Sequence, residues 1–124
     1  MTAETTVREY YEALRRGDPL APFFAREAST VKFGIEERLR GYDDIAAALE
    51  RQTETTDEWR VDSTDLSVTE REGYAWFADV VGMAWTDTGT GERFTFDSRW
   101  SGTLEERGED WQFVSMHVSA PREL

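Results

Sequence analysis

The stretch Trp111-Gln112-Phe113-Val114-Ser115-Met116-His117-Val118-Ser119-Ala120-Pro121 contains the chain's single histidine. Read at period two, Trp111, Phe113, Ser115, His117 and Ser119 fall on one face of a strand, and Gln112, Val114, Met116 and Val118 on the other. Both faces are largely apolar. The stretch is therefore expected in the middle of a covered sheet, with Ser115, His117 and Ser119 in one row.

The residues upstream of it share this periodicity back to Trp59. Four strands are expected: Trp59 to Thr69, Tyr74 to Thr86, Arg93 to Glu105 and Trp111 to Ser119. Their connections at Glu72-Gly73, Asp87 to Gly91 and Arg107 to Asp110 are short and glycine-bearing, which implies an antiparallel meander. In the second strand Tyr74, Trp76, Ala78, Val80 and Ala84 alternate with Ala75, Phe77, Asp79, Val81, Met83 and Trp85, so neither side is a plain solvent face. In the third, Phe94, Phe96, Trp100 and Leu104 stand opposite Thr95, Asp97, Arg99, Ser101 and Thr103.

Before Trp59 the pattern is helical. Thr6-Val7-Arg8-Glu9 has capping-box spacing, and Val7, Tyr10, Tyr11 and Leu14 recur at helical intervals until Gly17 offers a left-handed stop. Asp18-Pro19 reads as the start of a short second helix through Phe24. Thr30 to Phe33 and Arg38 to Arg40 suggest a small hairpin around Gly34. Gly41-Tyr42-Asp43-Asp44 turns into a third helix lined by Ile45, Ala48, Leu49 and Gln52. Helices first and sheet second give an α+β layout, with residues 1–124 as one domain. Three helices cover only one side of such a sheet, so its other face is expected to meet a second copy in a homodimer.

Composition narrows the chemistry. With no cysteine, disulfides, thiolate catalysis and Cys-ligated metals are excluded, and one histidine argues against a His-built metal site. Neither a membrane span nor a signal segment is visible, which makes a cytoplasmic protein the expectation. The formal net charge of -12 disfavours nucleic acid and anionic membranes as partners. Only Lys32 among the basic residues is lysine. An acidic, lysine-poor surface suits concentrated salt, where a Debye length of about 3 Å at 1 M screens self-repulsion; codon bias in a GC-rich genome also replaces lysine with arginine.

The chain has no phosphate-binding glycine loop, dinucleotide fingerprint or nucleophile elbow. Three polar residues stand among apolar neighbours: Asp79, Arg99 and His117. A carboxylate among aromatics serves as a general base or acid, and a histidine does either near neutrality. Each also has a structural alternative. Asp79 could pair with Arg99 across the sheet, His117 could sit in a core or interface, and Arg99 could balance an acidic loop. Tyr10, Tyr11 and Trp59 are candidates for the apolar walls of a pocket.

The element order, the Gly41-Tyr42-Asp43 turn, Arg99, the Arg107-Gly108-Glu109-Asp110-Trp111 segment, Met116-His117-Val118-Ser119 and Pro121 together resemble the SnoaL-like branch of the nuclear-transport-factor-2-like superfamily. The ending is also similar to that of the calcium/calmodulin-dependent kinase association domain. The resemblance spans essentially the whole chain. It implies a cone-shaped fold with a curved, mainly antiparallel sheet around a pocket capped by helices, commonly as a homodimer through the sheet. It also implies that Arg99 faces the pocket as an anion contact, and that His117 lies on the side away from it. The kinase association domain has a second pocket arginine where this chain has Val118, and Ser115 replaces its first strand histidine.

Such folds serve polyketide cyclases, a steroid isomerase, dehydratases and non-catalytic association domains, so fold alone does not decide. The expected function is a small-molecule pocket protein taking an apolar ligand with an acidic or carbonyl group held by Arg99. Any reaction would be cofactor-free proton transfer (isomerisation, cyclisation or dehydration), with Asp79 as base. The alternative is a non-catalytic homodimerisation module.

Overall fold

The computed structural model describes residues 1–122; the last two residues of the expected 1–124 domain lie outside the described residues. Helix α1 (Ala3–Arg16) begins at Thr2, whose hydroxyl accepts the Thr5 N–H at 3.1 Å. The cap expected at Thr6 does not form. Thr6 is already helical and buried, and its hydroxyl donates to the Thr2 carbonyl at 3.3 Å. Ala3, Val7, Tyr10, Tyr11 and Leu14 form the buried stripe, so starting at Thr2 brings Ala3 onto the core face. Gly17 ends the helix at φ 73°, with the Asp18 N–H donating to the Ala13 carbonyl at 2.9 Å.

The second helix is only a 3-10 turn, Ala21–Phe23, and does not begin at Asp18-Pro19. Pro22 has no N–H to donate to the Asp18 carbonyl, so an α-helix started there loses an early bond. Strands β1 (Val31–Phe33) and β2 (Arg38–Arg40) form the expected antiparallel hairpin. Helix α2 (Tyr42–Thr55) follows Gly41, which holds φ 88°, and buries Ile45 and Leu49. Asp43 and Asp44 in its first turn complement the helix dipole.

Five strands follow where four were expected: β3 (Thr56–Ser63), β4 (Ser67–Glu70), β5 (Tyr74–Asp87), β6 (Arg93–Arg107) and β7 (Asp110–Ser119). The expected Trp59-to-Thr69 strand breaks because residues 64 and 65 turn to satisfy β5. The Thr64 N–H and hydroxyl both donate to the Val80 carbonyl, at 2.9 and 2.7 Å, and the Asp65 N–H donates to the Asp79 carboxylate at 3.0 Å. The sheet order is β2-β1-β7-β6-β5-β3, with β4 also on β5; β1 runs parallel to β7 and every other pair is antiparallel. The architecture is the expected α+β one. α1 and α2 pack on one face of the sheet, α1 against β3, β4 and β7 and α2 against β1, β2 and β3.

β7 does not keep the strict alternation expected of it. Leu104 pairs with Phe113 but Thr103 with Ser115, so Val114 is an extra residue and the alternation slips by one there. Trp111 and Phe113 consequently share the buried inner face with Met116 and Val118, while His117 is exposed on the outer face. Gly102 permits the close approach at this bulge. A Cβ on it would collide with the Ser115 carbonyl oxygen and stand 2.9 Å from the Phe77 ring.

Candidate functional site

A cavity of about 350 Å³ opens between the inner face of the sheet, α1 and the β1–β2 turn. Its apolar wall is a run of stacked rings. Trp59 lies 4.8 Å from Trp85, and Trp85 lies 5.5 Å from Phe94 and 5.4 Å from Phe96, all within 26° of parallel. Inward alternation on β5 and β6 places Trp85, Phe94 and Phe96. Trp59 arrives through an irregularity in β3 between Asp57 and Arg60, where Glu58 takes φ 53°. Its indole N–H donates to the Thr56 hydroxyl at 2.8 Å, so only its ring is left for apolar contact.

Tyr10, Leu14 and Trp100 supply the helix side and floor. The Tyr10 ring packs edge-on against Phe23, Phe24, Trp100 and Phe113. Burial, and then the charge of Glu37, push the Tyr10 phenol well above its ordinary pKa. Tyr10 therefore lines the cavity as a protonated group, able to donate.

The charged group inside is Lys32. It is the only inward residue of the three in β1, in register with Met116 of β7, and its side chain is 7% exposed. Its ammonium donates to Glu37, whose side chain is 32% exposed on the turn above. Glu36 is the remaining charged residue of the lining. Composition singles out Lys32 as the sole lysine, a signal that does not by itself tell a surface lysine from an inward one. Its neighbours Val31 and Phe33 are both apolar, so a period of two in this three-residue strand puts them inward and Lys32 outward, the reverse of what is found.

Of the residues expected to form the site, Tyr10 and Trp59 line this cavity. Arg99 does not. It is exposed on the outer face, where it borders a separate depression with His117, Ser101 and Ser119, to which Asp79 also contributes. Alternation along β6 is the reason, since Ser98 and Trp100 are the buried neighbours that point inward. Asp79 is likewise placed away from the aromatic cavity. Its buried carboxylate accepts from the Tyr11 hydroxyl at 2.9 Å, the Ser63 hydroxyl at 2.6 Å and the Asp65 N–H at 3.0 Å, and among the described residues it makes no ion pair with Arg99. Tyr11 is committed to that bond; burial and Asp79 together raise its pKa. No group of three or more His, Asp or Glu side chains among the described residues is placed to hold a metal ion.

The family model of the SnoaL-like domain matches residues 3–123. The chain belongs to the SnoaL-like family. Solved structures similar to this SnoaL-like chain include a candidate dehydratase of the nuclear-transport-factor-2-like family from Streptomyces avermitilis, at 16% identity over 97% of this chain and 94% of that one, with TM-score 0.85. A ketosteroid isomerase-like protein from Erwinia carotovora atroseptica matches at 17% identity over 97% and 94% of the two chains, with TM-score 0.77. A candidate calcium/calmodulin-dependent protein kinase II association domain from Xanthomonas campestris matches at 20% identity over 95% and 84%, with TM-score 0.77. At these identities the likeness establishes the shared fold. No curated protein matches the sequence.

Proposed function

We propose that this SnoaL-like chain binds a planar, mostly apolar small molecule carrying a carbonyl group, and that any turnover is a cofactor-free proton transfer such as isomerisation, cyclisation or dehydration. The observation that carries this reading is the buried Lys32 paired with the half-buried Glu37 inside an aromatic-walled cavity. Flat stacked rings favour a planar ligand. Between a carbonyl and an acidic group, electrostatics favours the carbonyl. The lining holds one cation and two carboxylates, Lys32 against Glu36 and Glu37, so an anionic ligand would enter a site with no spare positive charge. A carbonyl needs only a donor, which Tyr10 or Lys32 supplies, and Glu37 is the carboxylate placed to exchange a proton. In this role the pair replaces Asp79 and Arg99.

Three tryptophans, Trp59, Trp85 and Trp100, line the cavity and make their fluorescence the direct readout. Titration with 2-acetylnaphthalene should quench it saturably, and 2-naphthoate should bind about tenfold more weakly, a difference of about 1.4 kcal/mol. Tighter binding of the carboxylate would reverse the ligand assignment, and no saturable quenching by either compound would remove the pocket.

The outer face supports the homodimer expected from the sequence. Tyr74, Trp76 and Val80 of β5 are 48%, 44% and 45% exposed, a concentration of apolar surface opposite the helices. A second copy is the proposed occupant, with Arg99 and His117 at the contact. This same patch is what favours the association-module alternative. Equilibrium sedimentation at micromolar concentration should show a dimer that Val80→Glu and Trp76→Glu dissociate; a wild-type monomer would count against it.

A further inference from the structure

We propose that Lys32 forms a Schiff base with an aldehyde or ketone in the cavity, with Glu37 moving the protons; the inference rests on the carbonyl-ligand reading above. Every basic side chain except Lys32 is arginine. Had the position needed only a cation for Glu37, arginine would serve at least as well, because its planar fork binds a carboxylate through two bonds. An arginine, however, never yields its proton. The one amine in the side-chain inventory is kept where a nucleophile would face an apolar cavity, desolvated and beside a base. The turn is also shaped for the pair. A Cβ at Gly34 would stand 2.6 Å from Glu37 Cγ, so the bare glycine is what lets Glu37 fold back over Lys32.

The step balances without any further reagent. Glu37 takes one proton from the Lys32 ammonium, and the freed amine attacks the carbonyl carbon, forming the C–N bond as the C=O π pair moves to oxygen. A proton passes from nitrogen to that oxygen to give the neutral carbinolamine. Glu37 then returns its proton to the hydroxyl, which leaves as water while the nitrogen lone pair forms C=N. The three ammonium protons end as two on water and one on the iminium, opposite an ionised Glu37. The iminium withdraws electrons from the adjacent C–H, the bond that isomerisation or loss of a β-hydroxyl must break.

Treatment of the whole protein with 2-naphthaldehyde and borohydride, followed by intact mass and peptide mapping, tests this, with 2-naphthylmethanol as a ligand that cannot condense. One naphthylmethyl group per chain is expected on Lys32, absent in Lys32→Arg and trapped on the order of a hundredfold more slowly in Glu37→Gln. Since mapping distinguishes Lys32 from the N-terminal amine, the wild type alone decides if a variant does not fold. Saturable quenching by 2-naphthylmethanol with no adduct on Lys32, or with an adduct only on the N-terminus, overturns the Schiff base and leaves the pocket standing. Wild-type trapping in Glu37→Gln overturns the assignment of Glu37. Failure of both compounds to bind removes this inference together with the reading beneath it.

Discussion

Lys32 and Glu37 are unequal partners, because the lysine is buried and the glutamate reaches solvent. Removing Glu37 strands a buried charge, whereas removing Lys32 frees a carboxylate to be hydrated. Glu37→Ala should therefore cost on the order of 3 kcal/mol and Lys32→Met clearly less, measured by urea unfolding; equal losses would show that burial does not control the pair. Tyr10 and Tyr11 add an alkaline signature. Their folded pKa values are raised, so the folded state keeps its phenol protons where the unfolded chain releases them. Stability from this source is complete below about pH 10 and falls above it, by about 1.4 kcal/mol per pH unit for each tyrosine. Tyr11→Phe should make the decline between pH 10 and 11 shallower. At this scale the sequence disclosed the wall residues Tyr10 and Trp59, whose aromatic character survives any error of register. Arg99 lies at the outer depression rather than in the aromatic cavity, as the alternation of β6 sets it opposite Phe96 and Trp100.

The strands illustrate how one inserted residue defeats a pattern. A strict period of two through Trp111–Ser119 puts Phe113 and His117 together, and the extra Val114 separates them. No composition cue marks Val114, yet Gly102, paired with Met116 just beyond the bulge, is a clue, since a strand interior favours glycine mainly where backbone or ring approaches closely. Gly102→Ala should cost about 1–3 kcal/mol through the clash with the Ser115 carbonyl and the Phe77 ring, read as a lowered midpoint in thermal unfolding. A neutral effect would mean that the bulge relaxes freely. The β3–β4 break was hidden for a related reason. Asp79 organises it through a side chain distant in sequence, and local periodicity contains no such information.

Across the whole molecule, the helical first half with its small hairpin and the antiparallel meander after it were legible, because hydrophobic period and glycine-bearing turns are local signals. The Lys32–Glu37 corner of the cavity was not, since it depends on how a three-residue strand lies parallel to the last one. The charge of -12 has its consequence here as well. If self-repulsion limits stability, the unfolding midpoint rises from low to molar KCl; a flat or falling midpoint sinks the high-salt expectation.

The two borders of the sheet bear on how far association proceeds. On one side β2 presents the exposed Arg38 and Arg40; on the other β3 presents the exposed Asp57, Glu58, Arg60 and Asp62, and that border is completed by the four-residue β4, which ends in the exposed Glu70. Charged borders resist the strand-to-strand pairing that would offer each newcomer a fresh border and so propagate into a fibril. The proposed face-to-face contact centred on Trp76 and Val80 would consume the same patch on both copies and leave none to recruit a third. Assembly by that route would stop at two.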